Sequence, residues 1–345
     1  MDISITMVHI NLVKTIINDG GMIKPIYIDN KDSGGTGLCN ASILYSEGKL
    51  RMLLRNVEYT MHCCEGEQVY QSCFEGPLSY YHKDDDLKLR TKNFYCEINP
   101  ETLEMERYHK VDTTKLDIIP IWHFIGLEDA RLVYWNNKYY GCGVRRDTTT
   151  NGIGRMEFSE LEITENGVKE INRNRIEVPD LSSYCEKNWM PIKNKPFHFI
   201  KWSNPTEVVK VNLDENNTEQ IHLEKKIIPM NYGIRGGSQL IAWDDNTYLG
   251  IVHGCKFTPE NYNGYKDADY FHRFIIWNSD FSIKYISDEF NFLDTKIEFC
   301  TGLEQIGDDI FIAFGYQDNA CYALKLKKDS LNDIIWNKLK NTLNN

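Results

Sequence analysis

Apolar and polar positions alternate with a period of two along much of this chain, the spacing of strands that bury one face. The stretches Lys49-Leu50-Arg51-Met52-Leu53 and Asn246-Thr247-Tyr248-Leu249-Gly250-Ile251 show it clearly. Five segments repeat one plan: an apolar strand, a polar turn, then an alternating strand with a polar tip. They span residues 40–56, 128–146, 187–205, 236–254 and 301–319. Their turns hold Glu47-Gly48, Asn136-Asn137, Lys193-Asn194, Asp244-Asp245-Asn246 and Gly307-Asp308-Asp309, residue types that accept tight hairpin backbone.

This recurrence, at uneven intervals that leave room for about four strands per repeat, predicts an all-β chain: a single five-bladed β-propeller over residues 1–345. The longest interval follows the first hairpin and predicts a long loop between Cys63 and Leu89. Helix–strand alternation is absent, which argues against a parallel α/β sheet. Helical spacing is confined to the ends. Ser330-Leu331-Asn332-Asp333 reads as a capping box ahead of Ile334, Ile335, Leu339 and Leu343, predicting a terminal helix over 330–343. Val8 to Ile17 is amphipathic and predicts a second helix.

In a propeller the innermost strands line one axis, so equivalent positions of the repeats converge. The first strands begin with Asn40 and Ser42, Asp129 and Arg131, Lys187 and Asn188, Ser238 and Gln239, and Thr301. The second strands end with Arg55, Arg145 and Arg146, Trp202 to Asn204, His253, and Asp318. Polar strand ends often do no more than meet solvent or cap a turn. Acids and bases recurring at both ends of the hairpins point instead to a polar central pocket.

Composition narrows the candidate partners. Lys and Arg total 39 against 50 Asp and Glu, a formal charge of -11, which opposes nucleic-acid binding while permitting a local anion site. Aromatic residues make up 12% of the chain, suiting both strands and the apolar faces of sugar rings. The opening stretch lacks a basic n-region and a cleavage site, and no apolar run approaches membrane-spanning length. A cytoplasmic protein with no membrane partner is expected. The ten cysteines are scattered without a CxxC pair, predicting free thiols and no structural zinc. Asp84-Asp85-Asp86, flanked by His82, Lys83 and Lys88, reads as a solvated acidic loop. Gly34-Gly35-Thr36-Gly37 lacks the Lys-Ser/Thr ending of a phosphate loop.

Gly126-Leu127-Glu128-Asp129-Ala130-Arg131 resembles the Glu-Asp-Pro-Arg signature of glycoside hydrolase family 130, five-bladed propellers acting mainly on β-mannosides, many by phosphorolysis. Asn40-Ala41-Ser42 with Arg55, Glu186-Lys187-Asn188 with Pro191, His253-Gly254, and Phe314-Gly315-Tyr316-Gln317-Asp318 resemble further family segments in the same order. The resemblance covers nearly the whole chain after about residue 25. It implies an inverting glycoside phosphorylase or glycosyltransferase on β-mannosides or related oligosaccharides, with hydrolysis or non-catalytic glycan binding as alternatives.

The resemblance also implies roles. Asp129 would be the proton donor, acting through a sugar hydroxyl. Asn40, Ser42, Arg55, Glu128, Arg131, Asn188 and Asp318 would bind or support the sugar. Lys187, His253 and one of Arg145, Arg146 or Arg155 would hold an anion. The implied co-substrate is inorganic phosphate, a sugar phosphate or a nucleotide sugar, with no cofactor or metal beyond it. The implied partner is a small oligosaccharide, and a homo-oligomer is compatible with the sequence. Trp189 and Trp202 are candidates for stacking on a sugar or for simple core packing. Ala130 replaces the family's proline, and Arg235-Gly236-Gly237-Ser238 replaces a Gly-Pro-Pro stretch. Glu298 to Leu303 and Lys187 to Pro191 look closer to propeller domains that accompany bacterial glycosyltransferases. These departures bear on the type of reaction.

Overall fold

The computed structural model describes residues 10–61, 64–65, 68–69, 71–75, 79–82, 88–178, 182–230, 232–258 and 267–340. Strands dominate, as the period-two pattern requires, and each segment found in the sequence opens an antiparallel run. The first run is Leu38–Ser46, Lys49–Val57, Leu89–Ile98 and Met105–Asp112. The second is Glu128–Trp135, Lys138–Arg145, Arg155–Thr164 and Gly167–Arg175. With the short strand Phe124–Ile125 paired beside Leu89 and Arg90, these two form one nine-stranded sheet, joined by a short parallel pairing of Val111 and Asp112 with Val168 and Lys169.

The third run, Met190–Pro191, His198–Ser203, Thr206–Asn212 and Asn217–Leu223, is a separate four-stranded sheet. The fourth centres on the long pair Thr247–Thr258 and Asp267–Asn278, with Ile234–Gly236 and Ile241–Asp244 on one side. The fifth is Glu298–Ile306, Asp309–Tyr316 and Ala320–Lys327, and its outer strand is Met22–Ile26 from near the start of the chain. Pairing an early strand with the last run covers the edge of Ala320–Lys327 and ties the two ends of the chain together.

The turns behave as their residues demand. Glu47 and Gly48, like Asn136 and Asn137, all have positive φ, the left-handed pair that a two-residue hairpin needs to match strand twist.

Apolar clusters fill the spaces between neighbouring runs. Phe94 and Met52 meet Phe311 and Ala323 between the first and fifth. Phe158 and Trp135 meet Phe199 between the second and third. Ile200 and Val208 meet Trp277 and Ile275 between the third and fourth. Phe274 and Ile251 meet Phe314 and Leu303 between the fourth and fifth. Burying each such side chain contributes about 1.5–3 kcal/mol.

The terminal helix is shorter than the sequence suggested and begins earlier. It runs Lys328–Asp333 and continues as π-helical turns Ile334–Lys338. Its N-cap is Lys327 with no side-chain cap bond, so Ser330 does not form the expected capping box. The wider turns, with Leu339 N–H donating to Ile334 O at 2.8 Å, bury Ile334, Ile335 and Leu339 together. Leu343 lies outside the described residues. The first helix is Leu12–Asn18, capped by the Asn11 side chain. Ile10 and Asn11 are extended and pair with Phe290 and Asn291, so the predicted start at Val8 is not where the helix begins. The Cys63–Leu89 excursion contains two short strand pairs, Cys64–Glu65 with Gln68–Val69 and Gln71–Glu75 with Ser79–His82. Asp84-Asp85-Asp86 lies outside the described residues. Among the described residues no helix is long and apolar enough to cross a membrane, and Cys39, Cys96, Cys142, Cys185, Cys255, Cys300 and Cys321 are free thiols.

His272 sets an acid limit on this fold. It is fully buried beside Phe290 and Phe292 with neither ring nitrogen hydrogen-bonded, and burial pushes its pKa from 6.5 down to about 3. The unfolded chain binds a proton at this residue below about pH 6.5 and the folded chain refuses it until about pH 3. Stability therefore falls as pH drops through that window, by about 1.4 kcal/mol per pH unit from this residue. His272→Phe should flatten that slope in urea-denaturation midpoints measured between pH 7 and pH 4. An unchanged slope would show that His272 does not set it.

Candidate active site

The first strands of the runs are stitched directly to one another. Ser42 Oγ accepts from Leu132 N at 2.9 Å, Thr301 Oγ1 donates to Ala41 O at 2.9 Å, and Gln239 bridges the Ile43 carbonyl and Leu303 N. Arg131 crosses the centre, donating from Nη1 to the Asp129 carbonyl at 2.6 Å and from Nη2 to the Gly237 carbonyl at 2.7 Å. Its guanidinium also lies over the Phe299 ring, and the residue is 1% exposed. Residues far apart in sequence are thereby held around one centre.

At or near the start of three first strands a polar residue adopts left-handed backbone. Asn40 and Asp129 have φ of 50° and Asn188 has φ of 62°. At the first two the strand register slips, between Cys39 and Ser42 and between Glu128 and Arg131. A bulge of this kind re-aims one side chain, and Asn and Asp tolerate the conformation best among non-glycine residues. Gly315 makes room for Asn40: a Cβ there would lie 2.0 Å from Asn40 Oδ1.

The bulges deliver a connected charge cluster. Asp129 Oδ1 accepts from Asn40 Nδ2 at 2.8 Å and from Arg55 Nη1 at 2.9 Å. Arg55 also donates to Tyr59 OH at 3.1 Å and to Thr91 Oγ1 at 3.3 Å, and lies 4.0 Å from Glu128. Tyr59 OH in turn donates to Asp318 Oδ2 at 2.8 Å. Lys187 Nζ lies 4.0 Å from Glu128 Oε1. Tyr80 packs edge-on to Tyr59, and Tyr270 stacks on His253 with ring centres 5.5 Å apart.

The carboxylates are driven apart in acidity. Burial pushes Asp129 up, but Arg55, Lys187, Arg131 and the Asn40 bond outweigh it and hold its carboxyl below the usual range. Burial raises Asp318, reinforced by the charges of Asp129 and Glu128, and the opposing pull of Arg55 and Tyr59 does not cancel it. The two acids of one site thus differ in proton affinity, Asp129 favouring its ionised form and Asp318 its neutral one.

His253 is a neutral group here. Burial lowers it well below 6.5, helped by His272 and Arg235, and its Nδ1 meets the Gly236 carbonyl at 3.0 Å. A proton on Nδ1 leaves Nε2 as an acceptor, so the imidazole suits a hydroxyl-bearing ligand better than a bare anion. The cations are Lys187, Arg146 and Arg235. Arg146 is half-buried over Phe124 and lines a small recess with Arg55 and Glu128. Arg235 is exposed and pairs in register with His253, and its side chain makes no hydrogen bond or ion pair among the described residues. Asn188 is 6% exposed with its Oδ1 unpartnered.

Several candidates lie elsewhere. Arg145 is committed to Glu157 at 2.7 Å, Asp147 at 3.6 Å and Glu170 at 3.9 Å. Arg155 holds the Gly154 and Ser183 carbonyls and Glu177. Neither guanidinium is free for an anion. Ser42, fully buried, spends its hydroxyl on the Leu132 amide, and Arg131 acts as a strut beneath Asp129. Trp189 is core, donating to Glu186, whereas Trp202 is 43% exposed. Sequence reasoning missed Tyr59, Tyr80, Tyr270 and Arg235. Tyr59, four residues past Arg55, carried the one usable local signal.

No family model and no curated protein matches the chain by sequence. Its fold is nevertheless shared with solved enzymes. A β-1,2-mannobiose phosphorylase from Listeria innocua is 13% identical, covering 91% of this chain and 93% of that one at a TM-score of 0.53. A candidate glycoside hydrolase from Parabacteroides distasonis is 9% identical over 84% and 86%, with a TM-score of 0.51. Another from Bacteroides ovatus is 12% identical over 89% of each chain, with a TM-score of 0.50. This is the propeller-like fold anticipated from the resemblance to glycoside hydrolase family 130.

Proposed function

We propose that this chain is an inverting carbohydrate-active enzyme, a glycoside phosphorylase or glycosyltransferase whose substrate is a β-mannoside or related oligosaccharide. One observation carries it: Asp129, Arg55, Glu128 and Asp318 form a single connected cluster around the buried Asp129–Arg55 pair, with Lys187, Arg146 and Arg235 supplying positive charge beside it. A five-bladed ring about that cluster accompanies the proposal. Apolar contacts link each run to the next and the fifth back to the first, in support of it.

Inverting displacement needs a proton at the leaving oxygen and a nucleophile on the opposite face of the sugar. Phosphate is already anionic and needs no base, only cationic donors. Asp129 is the proposed proton donor, reaching the leaving oxygen through a sugar hydroxyl. Arg55, Lys187 and Arg131 favour its ionised form. An anion bound at Lys187 neutralises one of those influences and lets Asp129 take a proton. Asn40, Arg55, Asn188, Glu128 and Asp318 would bind sugar hydroxyls, with His253 Nε2 accepting one more. The favoured co-substrate is phosphate or a sugar phosphate.

Incubation with mannose 1-phosphate and a panel of sugar acceptors should release inorganic phosphate. Release no greater than that of an Asp129→Asn control would defeat the phosphorylase version. Lys187→Ala should raise KM for the phosphorylated sugar by about tenfold, with a smaller effect on kcat. A kcat loss with unchanged KM would remove Lys187 from the anion site.

A further inference from the structure

The space between the first and second runs differs from the other spaces between neighbouring runs. Those others hold interlocking Phe, Trp and Ile side chains. Here the apolar cluster contains no Phe or Trp, and beside it opens a cavity of about 530 Å³. That volume is in the range of sites for small molecules. Leu53, Val111, Leu127 and Leu161 form its apolar wall. Asn93, Asp147, Ser159, Arg145 and Glu170 form its polar wall.

Two of the polar residues are half-used. Asn93 Nδ2 donates to the Leu127 carbonyl at 2.9 Å, and Asp147 Oδ2 accepts from Gly126 N at 2.9 Å. Their other oxygens, Asn93 Oδ1 and Asp147 Oδ1, are buried without a partner, and Asp147 is 5% exposed. Leaving such acceptors unmade is costly. Both need a donor, which a hydroxyl supplies and a bare anion does not. The cations along the wall are largely spoken for: Arg145 and Arg173 pair with Glu170, and Lys92 pairs with Glu58.

We infer that this wedge is a second binding site, separate from the Asp129 cluster, for a neutral polyhydroxylated ligand the size of one sugar unit. Its hydroxyls donate to Asn93 Oδ1 and Asp147 Oδ1 while its carbon face rests on Leu53, Leu127 and Leu161. Small side-chain rotations bring the two oxygens to the ligand. The site also bears on the cluster. Asn93 and Asp147 tether Leu127 and Gly126, directly preceding Glu128 and Asp129, and Thr91 on the same wall accepts from Arg55. A ligand here stiffens the segment that presents Asp129.

The test uses the full chain with D-mannose as the probe. Crystals soaked in D-mannose should show a pyranose in the wedge within hydrogen-bond distance of both oxygens. Calorimetric titration should count one equivalent fewer for Thr114→Trp, which covers the mouth, than for wild type. Ser159→Phe, which fills the floor, should show the same loss, so that a folding defect in one variant leaves the other to decide. Asp129→Asn should retain the wedge equivalent. Density at the Asp129 cluster alone, no density at either place, or unchanged stoichiometry in both wedge variants overturns the inference. Loss of phosphate-releasing activity with wedge binding intact would count against the proposed function and leave this site standing.

Discussion

Asp129→Asn is expected to lower turnover of mannose 1-phosphate by about three orders of magnitude, the scale of losing a positioned acid together with its electrostatic setting. The amide keeps the shape of the carboxylate and can still accept from Arg55 and Asn40, so the fold should persist. It cannot carry the proton. It also removes the charge that Arg55 faces at 2.9 Å, leaving Glu128 and Asp318 to balance that guanidinium. Ligand affinity should change far less than kcat, because Asn40, Asn188 and Lys187 remain in place. Initial rates and a binding isotherm on the same preparation separate the two effects. A variant that retains more than about a tenth of wild-type kcat would show that Asp129 is not the proton donor.

Arg131→Ala should be the most damaging substitution for stability among the residues around the cluster, costing about 3–5 kcal/mol. Its guanidinium is buried, fills the centre and holds the carbonyls of Asp129 and Gly237 from two different runs. Truncation leaves both carbonyls unpartnered and a cavity against Phe299. A urea-denaturation midpoint measures the loss directly. A shift equivalent to less than about 1 kcal/mol would mean the centre closes without the strut. Activity should fall with stability, since the Asp129 backbone loses its anchor.

Much of the architecture was legible in local pattern. Alternation at residues 49–53 and 246–251 set strands in the right places, and Glu47-Gly48 and Asn136-Asn137 marked turns that adopt the left-handed conformations their residues favour. The ends were read less well. The Ser330 motif looked like a cap, yet packing of Ile334, Ile335 and Leu339 moved the helix start to Lys328 and widened its last turns. Burial of three apolar side chains outweighs one capping bond worth about 1 kcal/mol.

The candidate site divides along the same line. Arg145 and Arg146 are neighbours with identical chemistry, and nothing local distinguishes them. Arg145 ends its strand and Arg146 is the first residue past it, so one guanidinium enters the carboxylates of Asp147, Glu157 and Glu170 while the other reaches Phe124 and the recess beside Glu128. Ser42 is separated from Asn40 by a bulge that turns one toward the cluster and the other toward the Leu132 amide. Tyr270 and Arg235 matter only because pairing in the fourth run places them beside His253.

By itself, then, the sequence determined the strand class, the hairpins and the set of charged tips available, since period-two burial and turn chemistry depend on neighbours a few residues away. Tertiary structure decided which tips face one another, which cations remain unspent, and that a polar wedge stands beside the cluster. Those outcomes depend on register and on contacts between runs, where a slip of one residue reverses every side chain.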